Sequence, residues 1–218
     1  MANRTRYDAA GPQAEFEPGS RQRVLRNLLG ICRVGDMQQA ESEALLMAQQ
    51  EAVERYADDQ RFVAADICDL HRLWLGPIYP WAGDYRSVNM GKGGFQFAHA
   101  PLIQRLMAEL ERGPLADFTP CVPASDEAVA QALAVVHAEL ILIHPFRDGN
   151  GRVARLLAML MGLQAGLPPL DFAPLDGRHK QNYIASIHAA LARDYAPLTR
   201  IFEKVIVRTW KLHAASNA

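Results

Sequence analysis

Apolar residues recur every three or four positions along most of this chain, and that spacing places them on one face of an α-helix. The pattern predicts seven helices, over about 37–56, 62–75, 101–110, 126–143, 149–166, 178–192 and 196–212. In the first helix, glutamates are interleaved with the apolar residues that carry the pattern, namely Ala40, Ala44, Leu45, Ala48 and Val53. Residues 21–31 are also rich in apolar side chains and predict a short helix or turn that docks on the core.

Two stretches interrupt the helical pattern. Residues 79–97 alternate loosely around Gly91-Lys92-Gly93-Gly94, which predicts a small β-hairpin and is the only strand signal in the chain. Residues 113–125 contain three prolines and predict a loop. The fold class is therefore mainly α, a helical bundle of about seven helices with one small β-hairpin. An irregular arm over 1–20 would precede a single domain over 21–212, and 213–218 would form a C-terminal tail.

The composition is that of a globular protein with a substantial core. Of 218 residues, 50% are hydrophobic and 22% are charged, and the net charge of −1 does not favour nucleic-acid binding. The cysteines are widely spaced and form no CxxC pair, which indicates a reducing compartment without disulfides or structural zinc: Cys32, Cys68 and Cys121. The N-terminus lacks the apolar core of a signal peptide, and no apolar run approaches the roughly 18 residues that span a bilayer. We therefore expect a cytoplasmic protein without a membrane partner; delivery into a host cell stays an open alternative.

The most informative stretch is residues 144–152, His-Pro-Phe-Arg-Asp-Gly-Asn-Gly-Arg, which lies between two strongly apolar helices. Polar groups placed between core helices need partners, and glycines weaken local structure. Taken one at a time, these residues would be interpreted as a helix cap, turn glycines and surface charges. Their conjunction within twelve residues indicates chemistry instead.

The second half of this segment has the parts of a phosphate-binding site. The first backbone N–H groups of a helix that begins here have no partner within the helix, and they point outward with the positive end of its dipole. Because glycines let an anion approach the backbone, we predict an anion-binding nest formed by Gly149, Asn150 and Gly151. Arg152 lies in the first turn, and Arg155 lies three residues on, on the same helical face. Two guanidinium groups beside a nest suit a polyphosphate better than a single carboxylate.

The first half of the segment supplies two further groups. Asp148 is a hard oxygen ligand directly before the nest, and it is well placed to hold Mg²⁺ against the phosphates. His144 lies at the other end of the loop, and histidine is the one side chain here that can titrate near neutral pH. A phosphate nest, a metal ligand and a base are the parts of a phosphoryl- or nucleotidyl-transfer site.

The segment resembles the full signature of Fic domains, His-Pro-Phe-x-Asp/Glu-Gly-Asn-Gly-Arg, without a departure. Residues 81–86, Trp-Ala-Gly-Asp-Tyr-Arg, resemble the lead into the flap of that family, and the resemblance covers roughly residues 20–210. It implies a protein adenylyltransferase with ATP as its substrate and Mg²⁺ as its cofactor. In such enzymes a Ser, Thr or Tyr hydroxyl of a target protein attacks the α-phosphate, AMP is transferred and pyrophosphate leaves.

The resemblance also implies a role for each position of the segment. His144 would be the base, and Asp148 would hold Mg²⁺ between the α- and β-phosphates. Arg152 would meet the β-phosphate and Arg155 the γ-phosphate, beside the nest of residues 149–151. Phe146 would anchor the loop in the core. A flap over about 88–97 would lie over the nucleotide and pair with the backbone of the target, and its candidate nucleotide-binding residues are Lys92, Gly93, Gly94 and Phe95.

The resemblance leaves the transferred group open. Doc-like members of the family, which phosphorylate, carry Lys where this chain has Gly151, so the unmodified motif favours AMP transfer. Other members transfer UMP or phosphocholine, or remove AMP, and the motif does not recognise the base. A catalytically silent helical module that binds a nucleotide or a partner is the alternative from another class; the intact His144 and Asp148 argue against it.

The resemblance implies regulation as well. Many Fic proteins carry an inhibitory helix, Ser/Thr-x-x-x-Glu-Gly/Asn, whose Glu pairs with the second arginine. Only Thr199 and Glu203 have this spacing here, and Lys204 follows them. Residues 28–31, Leu-Leu-Gly-Ile, precede a Glu-rich helix and resemble Fic toxins that are inhibited in trans. We therefore expect two partners, a target protein and a separate small antitoxin that supplies the inhibitory Glu, with this chain as the toxin of the pair.

Overall fold

Helices make up most of the described chain, which in this computed structural model comprises residues 8–9, 13, 15–122 and 125–216. Seven of the helices in this part have eight residues or more, and α4 is a single turn. Their bounds are α1 Val34–Arg55, α2 Ala64–Leu75, α3 Ile103–Leu110, α4 Ala116–Phe118, α5 Asp126–Ile143, α6 Asn150–Gln164, α7 Lys180–Ala189 and α8 Ala196–Ser216. The predicted mainly α fold is confirmed.

The core is organised around α5, which is buried on almost every side. Twelve of its 18 residues are buried, as expected for a helix with neighbours all around it, and α3, α6 and α8 pack against it. Its N-terminus is capped by Ser125, whose Oγ accepts the Ala128 N–H at 3.3 Å. Its last residue is Ile143, so the chain leaves this central helix directly into the segment 144–152.

A small antiparallel sheet lies beside the helices, with the order β1-β2-β3. Its strands are β1 Asp8–Ala9, β2 Met90–Lys92 and β3 Phe95–Gln96. Strands β2 and β3 form the predicted hairpin, with Lys92 opposite Phe95. Strand β1 comes from the arm that the sequence predicts to be irregular, and it pairs with β2 through Asp8 opposite Gly91 and Ala9 opposite Met90. A two-residue strand is too short to show the alternation by which strands are identified in a sequence.

The prediction of a loop over residues 113–125 is wrong in its first part. A π-helical turn, Glu111–Leu115, runs directly into α4 and contains Pro114. Leu115 is fully buried there, and this burial offsets the helix-breaking effect of the proline. Pro123, another residue of the predicted loop, lies outside the described residues. Residues 21–31, for which the sequence predicts a short helix or a turn, form turns and no helix. Leu25 in this stretch forms a β-bridge with Phe16.

Helix α1 packs on the core with a face that includes one charged residue and excludes one of the predicted apolar residues. The buried residues of this helix are Met37, Glu41, Ala48 and Ala52. Val53 was among the predicted apolar positions and is 48% exposed, because it lies about 100° around the helix from Ala52. A carboxylate, that of Glu41, therefore faces the core.

Described residues from the predicted arm and the predicted tail take part in the fold. Arg147 of the central segment is buried, and its Nε donates to the backbone carbonyl of Gln13 at 2.6 Å. Helix α8 continues to Ser216, through most of the predicted tail. Residues 1–7, 10–12, 14 and 217–218 lie outside the described residues, and the division into arm, domain and tail stays a prediction. None of the helices in the described part is long and apolar enough to cross a membrane.

Candidate active site

His144 lies where α5 ends, in a backbone conformation that is rare for a residue other than glycine. Its φ is +53° and its ψ is +58°, a left-handed geometry that costs about 1–3 kcal/mol. His144 is 4% exposed, and its ring stacks on that of Phe97, with centroids 3.7 Å apart. Nδ1 lies 3.1 Å from the Ile141 carbonyl oxygen. Because that oxygen can only accept, Nδ1 carries the proton of the neutral ring, and Nε2 has the lone pair that a base needs.

Arg86 holds His144 in this conformation and ties the flap to the end of α5. It is 2% exposed, and its guanidinium donates to four backbone carbonyls at 2.5–3.4 Å, those of Val88, Ala98, Ile143 and His144. Burial lowers the pKa of Arg86 to about 10, so it stays charged at neutral pH. The sequence shows Arg86 only as part of the flap resemblance; its contacts with the last carbonyls of α5 come from the fold.

His71 on α2 supports the central segment from the side of the core, and the sequence reasoning missed it. Its Nε2 donates to the Asp148 carbonyl at 3.0 Å, and its Nδ1 accepts the Gly83 N–H at 2.7 Å. Its ring stacks on Phe146 at 3.9 Å between centroids, and Phe146, the predicted loop anchor, is fully buried. Burial lowers the pKa of His71 to about 4, which keeps the ring in the neutral form that both hydrogen bonds require.

The three residues of the predicted nest have different surroundings. Gly149 has a φ of +84°, and a Cβ there would lie 2.6 Å from Cζ3 of Trp74. The side-chain amide of Asn150 points inward, and it bonds the backbone N–H and carbonyl of Phe146, each at 2.8 Å. This side chain closes the loop, so only the backbone of Asn150 can face a ligand. At Gly151 a Cβ would meet nothing within 4 Å, which leaves room beside the start of α6.

Arg152 and Arg155 both have carboxylate partners on the same chain. Arg152 NH1 donates to Glu41 Oε2 at 2.8 Å. The guanidinium of Arg155 makes a bidentate pair with Asp176, at 2.8 and 3.0 Å. Asp176 lies between two short 3-10 turns, Ala173–Leu175 and Gly177–His179. The sequence led us to expect the competitor for Arg155 on another chain, or as Glu203 on this one; in this structure Asp176 pairs with Arg155.

A cavity of about 800 Å³ brings most of the predicted residues together. Of the predicted site residues, its walls contain His144, Gly151, Arg152, Arg155, Lys92, Gly93 and Phe95, whereas Asp148, Gly149, Asn150, Gly94 and Phe146 are not among its lining. Residues of α1 and α7 also line the walls, among them Glu41, Tyr183 and His188. The ring of Phe95 stacks on that of His188, with centroids 4.7 Å apart. No sequence motif marked these wall residues. This volume lies within the range of small-molecule sites in proteins.

The metal ligand that the sequence predicts is Asp148, which is partly exposed. Its Oδ1 accepts the N–H of Gly149 at 2.6 Å. Within the described part of the chain, no group of three or more His, Cys, Asp or Glu side chains could hold a metal ion. A single carboxylate fits Mg²⁺ held jointly with substrate phosphates, which is the usual donor set for that ion, and does not fit a structural zinc.

Comparisons with known proteins match much of this chain. The sequence profile of the Fic/DOC family matches residues 61–161. The protein adenylyltransferase fic-1 of Caenorhabditis briggsae is 33% identical over 140 residues, which are 64% of this chain and 26% of that protein. A probable protein adenylyltransferase of Sinorhizobium fredii is 32% identical over 142 residues, 63% of this chain and 69% of that protein. The chain therefore matches most of the bacterial relative and about a quarter of the nematode relative.

A solved structure shares the fold over most of its length. It is the N-terminal Fic domain of a VirB-translocated Bep effector protein from Bartonella quintana with bound ADP. The TM-score is 0.67 at 25% identity, with 83% of this chain and 89% of that chain covered.

Proposed function

Because this chain belongs to the Fic/DOC family, we propose that it is a protein adenylyltransferase, which moves AMP from ATP to a hydroxyl group of a target protein. One observation carries the proposal: His144, Arg152 and Arg155 line the same cavity of about 800 Å³, with Gly151 of the nest between them in sequence. The names of the nematode and rhizobial relatives and the ADP in the Bartonella domain support a nucleotide substrate.

In the proposed reaction His144 is the general base. Nε2 takes the proton of a Ser, Thr or Tyr hydroxyl of the target while the hydroxyl oxygen forms a bond to the α-phosphorus of ATP. The bond from that phosphorus to the oxygen bridging to the β-phosphate breaks, and pyrophosphate leaves with its electron pair. The products are the AMP ester of the target, pyrophosphate and protonated His144. A well-placed base contributes about 10²–10⁴ to the rate.

The remaining residues bind and orient the nucleotide. The backbone at 149–151 and Arg152 take the β-phosphate, and Arg155 takes the γ-phosphate after it leaves Asp176. Asp148 would hold Mg²⁺, which when bound neutralises phosphate charge. Flap residues Lys92, Gly93, Gly94 and Phe95 lie against the nucleotide, and the backbone of the flap pairs with the target. Such backbone pairing is largely independent of the target's sequence.

The transferred group is identified by the position of a label in ATP. The purified chain is incubated with a cell extract and ATP labelled with ³²P at the α- or the γ-phosphate, and protein-bound label is counted. We expect label from the α-position only. Label from the γ-position only would show a kinase, and label from neither would refute AMP transfer and leave the other donors or the silent module.

The base is tested with His144→Ala. Transfer should fall at least about 10²-fold, while the dissociation constant for ATP, measured by calorimetry, stays within about twofold because the arginines and the nest remain. His213→Ala is the matched control, since His213 is exposed on α8. Retained transfer in His144→Ala would remove this residue as the base.

We propose further that the chain is a toxin in the cytoplasm, inhibited by a separate small antitoxin whose Glu takes Asp176's place at Arg155. The free cysteines Cys32, Cys68 and Cys121 suit a reducing compartment. The purified chain alone should be active, and Glu203→Gly should add nothing to its rate. An inactive chain that Glu203→Gly activates would place the inhibition in cis and refute the need for an antitoxin.

A further inference from the structure

We infer that Glu41 of α1 is a positioning residue of this site, which sets the guanidinium of Arg152 in the orientation that receives the β-phosphate. The inference rests on the proposed function, because it takes Arg152 as a phosphate ligand. It concerns a residue outside the segment 144–152, more than 100 positions away in sequence, on a helix that carries no sequence motif.

Glu41 is the exception among the glutamates of α1. It is 8% exposed, whereas Glu43, Glu51 and Glu54 are exposed to solvent. Its position, four residues after Met37 and seven before Ala48, places it in the row of residues that pack on the core. A carboxylate in such a row is more costly than an apolar residue of the same size unless its partners compensate it. Its partners therefore indicate its role.

Three contacts fix Glu41 in place. Tyr79 Oη donates to Oε1 at 2.8 Å, and Trp74 Nε1 donates to the backbone carbonyl of Glu41 at 2.9 Å. Arg152 NH1 donates to the other carboxylate oxygen, Oε2, at 2.8 Å. Burial and the neighbouring carboxylate raise the pKa of Tyr79, so its hydroxyl stays protonated and keeps donating. The carboxylate cannot rotate away from Arg152 without also breaking the bond from Tyr79.

The same group of side chains restrains Arg152 from two directions. Its Cζ lies 4.3 Å from the centroid of the Trp74 ring, within the range of a cation–π contact. The contact with Glu41 uses NH1, one of the two terminal nitrogens of a planar fork with five N–H donors. A long side chain held in this way has lost its rotamer freedom before the ligand arrives, which lowers the cost of binding.

Glu41 and Asp176 play opposite parts although both pair with an arginine of the cavity. Asp176 is 55% exposed, lies on a loop and occupies both terminal nitrogens of Arg155. Glu41 is 11% exposed at its side chain, contacts one nitrogen of Arg152 and is anchored by Tyr79. A phosphate can therefore displace Asp176, whereas Glu41 stays in place while a phosphate binds the rest of the fork.

The test compares nucleotides with and without a β-phosphate. Dissociation constants for ADP and AMP are measured by calorimetry for the unmodified chain, Glu41→Ala and Glu41→Gln. Glu41→Ala should weaken ADP binding about three- to tenfold, because Arg152 must then be ordered on binding, and should leave AMP within about twofold. Glu41→Gln should restore ADP binding, since its amide can accept from Arg152 and donate to Tyr79. Glu43→Ala, at an exposed position of the same helix, is the matched control.

A double-mutant cycle decides whether Glu41 acts through Arg152. In an Arg152→Ala background, Glu41→Ala should cause no further loss of ADP affinity. Tighter ADP binding in Glu41→Ala, equal losses for ADP and AMP, or a loss that persists without Arg152 would each overturn the inference. If Glu41→Ala does not fold, Tyr79→Phe tests the same anchor, and unchanged ADP affinity there would overturn it. An unmodified chain that binds neither ADP nor ATP would refute the proposed function instead.

Discussion

Replacing Asp176 by Asn should tighten the binding of ATP. The carboxylate of Asp176 occupies both terminal nitrogens of Arg155, at 2.8 and 3.0 Å, and Arg155 is the residue proposed to meet the γ-phosphate. ATP must therefore break this pair before it can use Arg155 fully. Asn has the shape of Asp but no charge, so it keeps the loop while it weakens the competition.

The magnitude follows from the exposure of the pair. The side chains of Arg155 and Asp176 are 27% and 55% exposed, and pairs that reach solvent contribute about 0.2–1 kcal/mol. Since about 1.4 kcal/mol corresponds to tenfold in affinity, removing the whole pair could tighten ATP binding by at most about fivefold. Asn can still accept one hydrogen bond, so we expect a smaller gain of about 1.5- to threefold for Asp176→Asn.

The observable is the ratio of the dissociation constants for ADP and ATP, measured by calorimetry in one buffer. The ratio should rise about 1.5- to threefold in Asp176→Asn, because ADP has no γ-phosphate and should bind as before. Asp171→Asn is the matched control. Asp171 precedes the 3-10 turns that flank Asp176, but it pairs with Arg208, at 2.7 Å. Arg208 is not part of the cavity lining.

Two results would refute this reasoning. Weaker ATP binding in Asp176→Asn would mean that Asp176 orients Arg155 rather than competing with the nucleotide. A ratio that stays constant while both affinities change would mean that the substitution acts on the loop as a whole.

Two further predictions concern the support of the central segment. Gly149→Ala should lower the free energy of unfolding by about 2–4 kcal/mol, since its φ is positive and a Cβ would meet Trp74 at 2.6 Å. Gly151→Ala should leave the melting temperature unchanged or higher, because its methyl group would meet no protein atom within 4 Å. The same methyl group would crowd the nest and weaken ATP binding. Equal losses of stability in the two variants would contradict this. Burial lowers the pKa of His71 in the folded chain to about 4, below its ordinary value of 6.5. Between these two pH values the unfolded state therefore binds more protons than the folded state. The stability that His71 contributes is present above pH 6.5 and is lost as the pH falls towards 4. His71→Asn should flatten the dependence of the unfolding free energy on pH in this window, as measured by urea denaturation, and an unchanged slope would contradict the prediction.

The sequence predicted the elements that depend on neighbours along the chain. The bounds of α5 agree with the predicted 126–143 because Ser125 caps one end and the loop of residues 144–149 follows the other. The hairpin forms around Gly93 and Gly94, which both have positive φ, the conformation that glycine adopts most readily. Helical spacing, caps and turn glycines act over a few residues, so they can be identified without the fold.

The predictions that were wrong concern segments whose structure depends on distant contacts. Pro114 lies inside a helical turn because Leu115 is buried there, which overrides the local preference. Val53 is exposed and Glu41 is buried because the face of α1 that packs is set by its neighbours. The strand at Asp8–Ala9 exists only because Met90 and Gly91 lie beside it.

The candidate site shows the same division. The sequence alone determined that a histidine, an aspartate, two glycines and two arginines occur together within twelve residues, since their order along one loop and one helix is enough to bring them close. The tertiary structure alone decided which groups contact them. His71 bonds the Asp148 carbonyl, Arg86 bonds the His144 carbonyl, Glu41 pairs with Arg152, and Asp176 pairs with Arg155. These contacts join residues 21 to 111 positions apart. A periodic pattern tells which residues face inward, but the partner that each one meets depends on how the helices pack.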